Sequence, residues 1–143
     1  MIPARVSLIT LGTRDLSAMR TFYHRLGWEE YHPEDEGFAT FKTGGGVLAL
    51  FPLDDLAREA NLPIEGSRTS FKGVTLAVNV ERAELVDQAI EAARSAGATV
   101  LRAPMDASWG GRSAYFADPE NNVWEVAWAP NARFDERGGL IWS

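Results

Sequence analysis

The chain has 143 residues, a formal net charge of −6, 45% hydrophobic and 24% charged residues, and no cysteine. This is the composition of a globular chain with a real core; it excludes disulfides, thiolate zinc sites and a cysteine nucleophile, and it argues against nucleic acid, which needs a basic face. No run is apolar for long enough to span a membrane, and MIPARVSLITLG lacks the charged start and long apolar run of a signal peptide, so a cytoplasmic single domain over residues 1–143 is the expectation.

In chain order, residues 6–11 read as a strand. Gly12-Thr13-Arg14 follows, and Asp15 can cap a helix because its side chain accepts from a free N–H of the first turn. Leu16, Met19, Phe22, Tyr23 and Leu26 then fall on one helical face, and Gly27 is a natural stop. Strands are expected at residues 28–31, 37–42 and 47–51, with Gly44-Gly45-Gly46 giving the last two a hairpin. No Lys-Ser/Thr pair and no helix follow those glycines, so a phosphate loop is not indicated.

Residues 54–60 carry a short helical signal, and Pro63, Gly66 and Ser67 have the composition of a linker. The pattern then repeats. Residues 74–78 read as a strand, and 82–96 as a helix with Val86, Ala89, Ile90 and Ala93 on its apolar face and Gly97 as its stop. Strands follow at 99–102, 112–117 and 123–128. The chain therefore divides into two βαβββ halves, residues 5–52 and 72–129, joined by a linker at 53–71 and followed by a tail at 130–143. Leu140-Ile141-Trp142 is too apolar for a free tail and suits docking on the domain or on a second subunit. One helix per half covers one sheet face and leaves the other open. The fold class is thus α+β, with the two open faces curling around a central cleft.

The most informative stretch is AYFADPENNVWEVAW, residues 114–128. It is strand, tight Asp-Pro turn and strand. Asp118 and Pro119 are read as structural, Asp bonding back to the turn backbone and Pro presetting φ. Strand alternation puts Trp124, Val126 and Trp128 under the helix and Glu125 on the cleft side. Three roles are open to Glu125: a solvated leftover, a ligand anchor, or a general base.

The repeat, the helix ending FYHRLGW and the motif FADPENNVWEVAW resemble the vicinal oxygen chelate superfamily, which includes glyoxalase I, extradiol dioxygenases, and bleomycin- and fosfomycin-resistance proteins. The resemblance covers roughly residues 5 to 129, nearly all of one domain. It implies four ligand slots for a divalent ion. These fall on Leu8, Ala49, Gly73 and Glu125, and a slip of one residue would bring in Ser7 or Thr75. One carboxylate cannot hold a hard or borderline cation, so no metal and no cofactor are expected, nor glyoxalase I or extradiol dioxygenase activity. His24 and His32 lie away from these slots and read as surface residues.

The expectation is a small-molecule binding protein, with enzyme activity left open. Trp109, Arg112, Phe51, Phe38, Leu8, Thr10, Ala49 and Thr75 are the expected ligand-binding residues, and Glu125 is the buried acid. Trp109, beside Gly110-Gly111, suits a cleft wall. Arg112 is either a solvated edge residue or a clamp for a carboxylate or phosphate. Aromatic walls favour a planar or cationic ligand, and the resemblance implies a homodimer. The alternative is a metal-independent or weakly metal-assisted lyase or isomerase with Glu125 as base, aided by Arg112 or Thr10.

Overall fold

A computed structural model of the chain describes residues 1–66 and 70–141. Its elements in order are β1 (Leu8–Thr13), α1 (Leu16–Arg25), β2 (Ala39–Lys42), β3 (Val47–Pro52), α2 (Leu53–Ala60), β4 (Thr75–Asn79), α3 (Ala83–Ala96), β5 (Thr99–Asp106), β6 (Arg112–Ala117), β7 (Val123–Trp128), β8 (Arg133–Phe134) and β9 (Leu140–Ile141). They divide into two compact units, Met1–Glu65 and Gly66–Ser143. Among the described residues no helix is long and apolar enough to cross a membrane.

In the first unit the sheet order is β1-β3-β2, with β1 parallel and β2 antiparallel to the central β3. Helix α1 starts where Asp15 accepts from the backbone N–H of Ala18 at 2.9 Å. It ends at Gly27, whose φ of 88° is the left-handed turn that glycine adopts without strain. Met19, Phe22 and Tyr23 leave almost no surface exposed. Tyr23 packs on Phe41 of β2 at 5.7 Å between ring centroids, which puts Phe41, Leu48 and Leu50 on the α1 face.

The strand expected at residues 28–31 is not formed as such. It is reduced to one bridge, Glu30 with Phe41. The reason is local: the Glu30 side chain is buried and held by Arg20 at 2.5 Å, and Pro33 follows two residues after Tyr31. A second revision concerns α2. The sequence places it in the linker, but it packs on β1 and β3, on the face opposite α1. Gly12 is its seat: a Cβ there would come within 2.7 Å of Leu53 Cδ1 and 3.4 Å of Leu56 Cδ2.

In the second unit the order is β4-β7-β6-β5, with β4 parallel to β7 and the others antiparallel. Helix α3 buries Val86, Ile90, Ala93 and Ala96. It packs on β5, β6 and β7. Opposite it lie Ala114, Phe116, Trp124 and Val126, with Phe116 and Trp124 stacked at 6.2 Å. The β6–β7 turn is tied by Asp118, whose Oδ1 accepts from the backbone of Glu120 (3.0 Å) and Asn122 (2.9 Å), the structural role the motif suggests. Strand β5 runs on to Asp106, four residues past the expected end. The tail closes as the β8–β9 hairpin, with Leu140 and Ile141 still exposed; Trp142 and Ser67 lie outside the described residues.

Candidate functional site

In the first unit, alternation along β3 turns Leu48 and Leu50 to α1 and leaves Val47, Ala49 and Phe51 on the other face. The register aligns Leu8 with Val47, Thr10 with Ala49, and Gly12 with Phe51. Helix α2 overhangs part of that face. Between it and the strands is a hollow of about 400 Å³ lined by Thr10, Phe38, Phe51, Leu56 and Glu59. Phe38 and Phe51 meet edge to face at 5.7 Å. Three expected ligand-binding residues are thus brought together. Ala49 is paired beside Thr10 and fully buried, and Leu8 continues the row at 46% exposure.

Phe38 precedes β2 in a segment that Arg20 of α1 pins. Its guanidinium donates to the carbonyl of Phe38 at 3.2 Å and to that of Asp35, while Nε donates to Glu30 at 2.5 Å. Glu30 is buried, and its Oε2 has no hydrogen-bond partner among the described residues. His24 Nε2 lies 3.6 Å from Glu30 Oε1. Buried acid, arginine and loop carbonyl together fix the position of one wall of the hollow. Sequence reasoning missed Leu56 and Glu59, which it assigned to a linker, and the Glu30–Arg20 pair, for which spacing gives no signal.

In the second unit, the face of the sheet away from α3 carries one row in register: Ala77, Glu125, Tyr115 and Arg102. Glu125 is half-buried there, as alternation predicts. Tyr115 Oη donates to Glu125 Oε2 at 2.8 Å. This bond raises the tyrosine above the ordinary phenol range, with burial and the nearby negative charge acting in the same direction and Arg102 opposing them. The Arg102 guanidinium lies 5.1 Å from the centre of the Tyr115 ring, and it donates to Ser113 Oγ at 2.6 Å. Glu125 Oε1 accepts nothing within the described residues and is available to a donor. Thr75 lies on the same face, paired with Val123. Sequence reasoning missed Tyr115 as the partner of Glu125, although a tight turn centred on residue 120 pairs 115 with 125.

Arg112 and Trp109 each have neighbours of their own within the second unit. Arg112 is on the α3 side of β6. Its Nε and Nη2 fork onto both oxygens of Asp87 at 2.8 Å, and Nη1 donates to Asp106 at 3.0 Å. A guanidinium so engaged would have to give up two carboxylates of its own unit to hold a ligand's. The Asp87 carboxyl is in turn held below its usual range, first by this bond. Trp109 is 57% exposed. Its indole lies over Gly111, where an added Cβ would overlap both the indole and the carbonyl of Trp128.

The four slots implied for a divalent ion do not fit one. Leu8, Ala49 and Gly73 bring no side-chain donor, which leaves Glu125 alone. Among the described residues no group of three or more His, Cys, Asp or Glu side chains could hold a metal ion.

Comparison with known proteins gives three results. The family described as Glyoxalase/Bleomycin resistance protein/Dioxygenase superfamily matches residues 5–126. The chain is similar to a solved structure of a glyoxalase-related enzyme from Fulvimarina pelagi, at 28% identity and a TM-score of 0.87 over 99% of each chain. It is similar to a glyoxalase/bleomycin resistance protein/dioxygenase family enzyme from Burkholderia phytofirmans PsJN, at 28% identity and a TM-score of 0.76, over 87% of this chain and 98% of that one. A glyoxalase/bleomycin resistance protein/dioxygenase from Nocardioides shares 26% identity at a TM-score of 0.75, over 100% of this chain and 91% of that one. No curated protein matches.

Proposed function

This chain belongs to the Glyoxalase/Bleomycin resistance protein/Dioxygenase superfamily, and on that footing we propose that it is a small-molecule binding protein whose ligand enters the hollow beneath α2. The observation that carries the reading is the lining itself. Two phenylalanines, a leucine, one hydroxyl and one carboxylate surround about 400 Å³. A mostly apolar wall with a few polar groups is the chemistry a small-molecule site requires.

Saturation-transfer NMR against a mixed library of aromatic and aliphatic compounds tests the reading. Hits are expected among planar compounds, and Phe51→Ala should weaken them by about tenfold, the loss of ~1–2 kcal/mol of aromatic contact. A library without hits, or hits indifferent to Phe51→Ala, would refute it.

One observation supports a second reading as a metal-independent lyase or isomerase. Tyr115 holds one oxygen of Glu125 and, among the described residues, leaves the other unpartnered, the arrangement of a positioned general base. The Fulvimarina relative is itself described as an enzyme. On this reading a bound ligand exchanges a carbon-bound proton with deuterated water, and Glu125→Gln abolishes the exchange.

A further inference from the structure

We infer that Glu59 selects the ligand of the first-unit hollow, and that the ligand class is an organic cation: a molecule with an ammonium or amidinium group on a planar apolar body. The inference rests on the binding reading above and names the chemistry of the same site.

The first ground is charge. Of the five lining residues only Glu59 is ionisable, so the hollow presents one negative group and no positive one. An anionic ligand would meet an uncompensated carboxylate there. A neutral one would leave it unused.

The second ground is that nothing within the described residues occupies Glu59. It makes no hydrogen bond or ion pair among them. Its neighbour Arg58 is turned back one helical turn onto Asp55, at 2.6 Å. The Thr10 hydroxyl in the same lining is likewise uncommitted.

The third ground is position. Glu59 is the seventh of the eight residues of α2. There the helix dipole presents its negative end and disfavours a carboxylate. At the first turn Asp54 and Asp55 sit where the dipole favours them. Glu59 therefore does not stabilise its own helix, and it stands exposed to solvent at the edge of the hollow. It faces Phe38, Phe51 and Leu56. Aromatic rings add to the attraction for a cation, and the apolar remainder suits a planar body.

The test uses three compounds of one shape: 1-naphthylmethylamine, 1-naphthylmethanol and 1-naphthoate. Each is titrated calorimetrically into the full chain and into Glu59→Gln, at low and at physiological salt. The wild type should bind the amine about fivefold to tenfold more tightly than the alcohol, as expected of a partly solvated charge-assisted pair with an aromatic contribution. It should bind the naphthoate most weakly. In Glu59→Gln the amine should fall to within about twofold of the alcohol, with the alcohol unchanged, and the wild-type preference should shrink with salt. Removing a charge from the unfavourable end of α2 leaves the fold intact, which circular dichroism confirms. Equal binding of amine and alcohol by the wild type, or a preference that survives Glu59→Gln, would overturn the inference while leaving the binding reading standing. If none of the three binds, and the library screen also finds no ligand for the hollow, the binding reading itself has failed and this inference falls with it.

Discussion

Among the described residues Glu125 has one oxygen tied to Tyr115 and the other without a donor, and that division decides what it can do. Because the folded state holds the Tyr115 phenol above its ordinary value, the phenol keeps its proton at a pH where the unfolded chain has begun to lose it. The stabilisation is therefore complete below about pH 10 and is lost as pH rises through the folded-state value. Absorbance titration of tyrosinate, with Tyr115→Phe as the subtraction control, should show Tyr115 ionising late, and Glu125→Gln should bring it back toward the ordinary range. A Tyr115 indifferent to Glu125→Gln would mean the two do not share a proton bond. At this scale the sequence was informative where alternation governs. Glu125, Thr10 and Phe51 stand on the faces that period-two reasoning assigns. It was silent on Glu30, whose burial depends on Arg20 reaching it from another element. It left Arg112 open between an edge residue and a clamp, because its partner Asp87 reaches it from α3 and spacing gives no sign of that.

Among the elements, α3 is fastened to its sheet in two ways. The apolar row of Val86, Ile90 and Ala93 packs on β5 to β7, and the Arg112–Asp87 fork closes one end. Asp87 titrates below its usual value in the folded state, so the unfolded chain binds the extra proton in acid. The contribution of the fork is fully present above about pH 4 and is lost as pH falls through the depressed folded value. Urea midpoints should show Asp87→Asn less stable than wild type at pH 7, with the gap closing toward pH 2; a gap that does not vary with pH would contradict the assignment. Helix α2 teaches the opposite lesson about legibility. Its existence was plain from residues 54–60, but its place was not, because its seat is an absence. Gly12 has no side chain, and only the fold reveals that Leu53 and Leu56 fill the space.

For the whole molecule, the architecture was largely legible because it is written twice. Two helices with apolar faces, each preceded by a strand and stopped by glycine, gave the α+β repeat. The exception was the strand at residues 28–31, which is reduced to one bridge beside a buried ion pair. Function was less legible, since a shared scaffold hosts many chemistries and the wall that completes the hollow came from a segment with linker composition. The account's central claim is that a small organic molecule binds there. The most direct measurement is amide chemical-shift mapping of the 15N-labelled chain at saturation with the tightest compound from the library. The largest shifts are expected on Thr10, Phe38, Phe51, Leu56 and Glu59; a saturating ligand that leaves all five unmoved would contradict binding in the hollow.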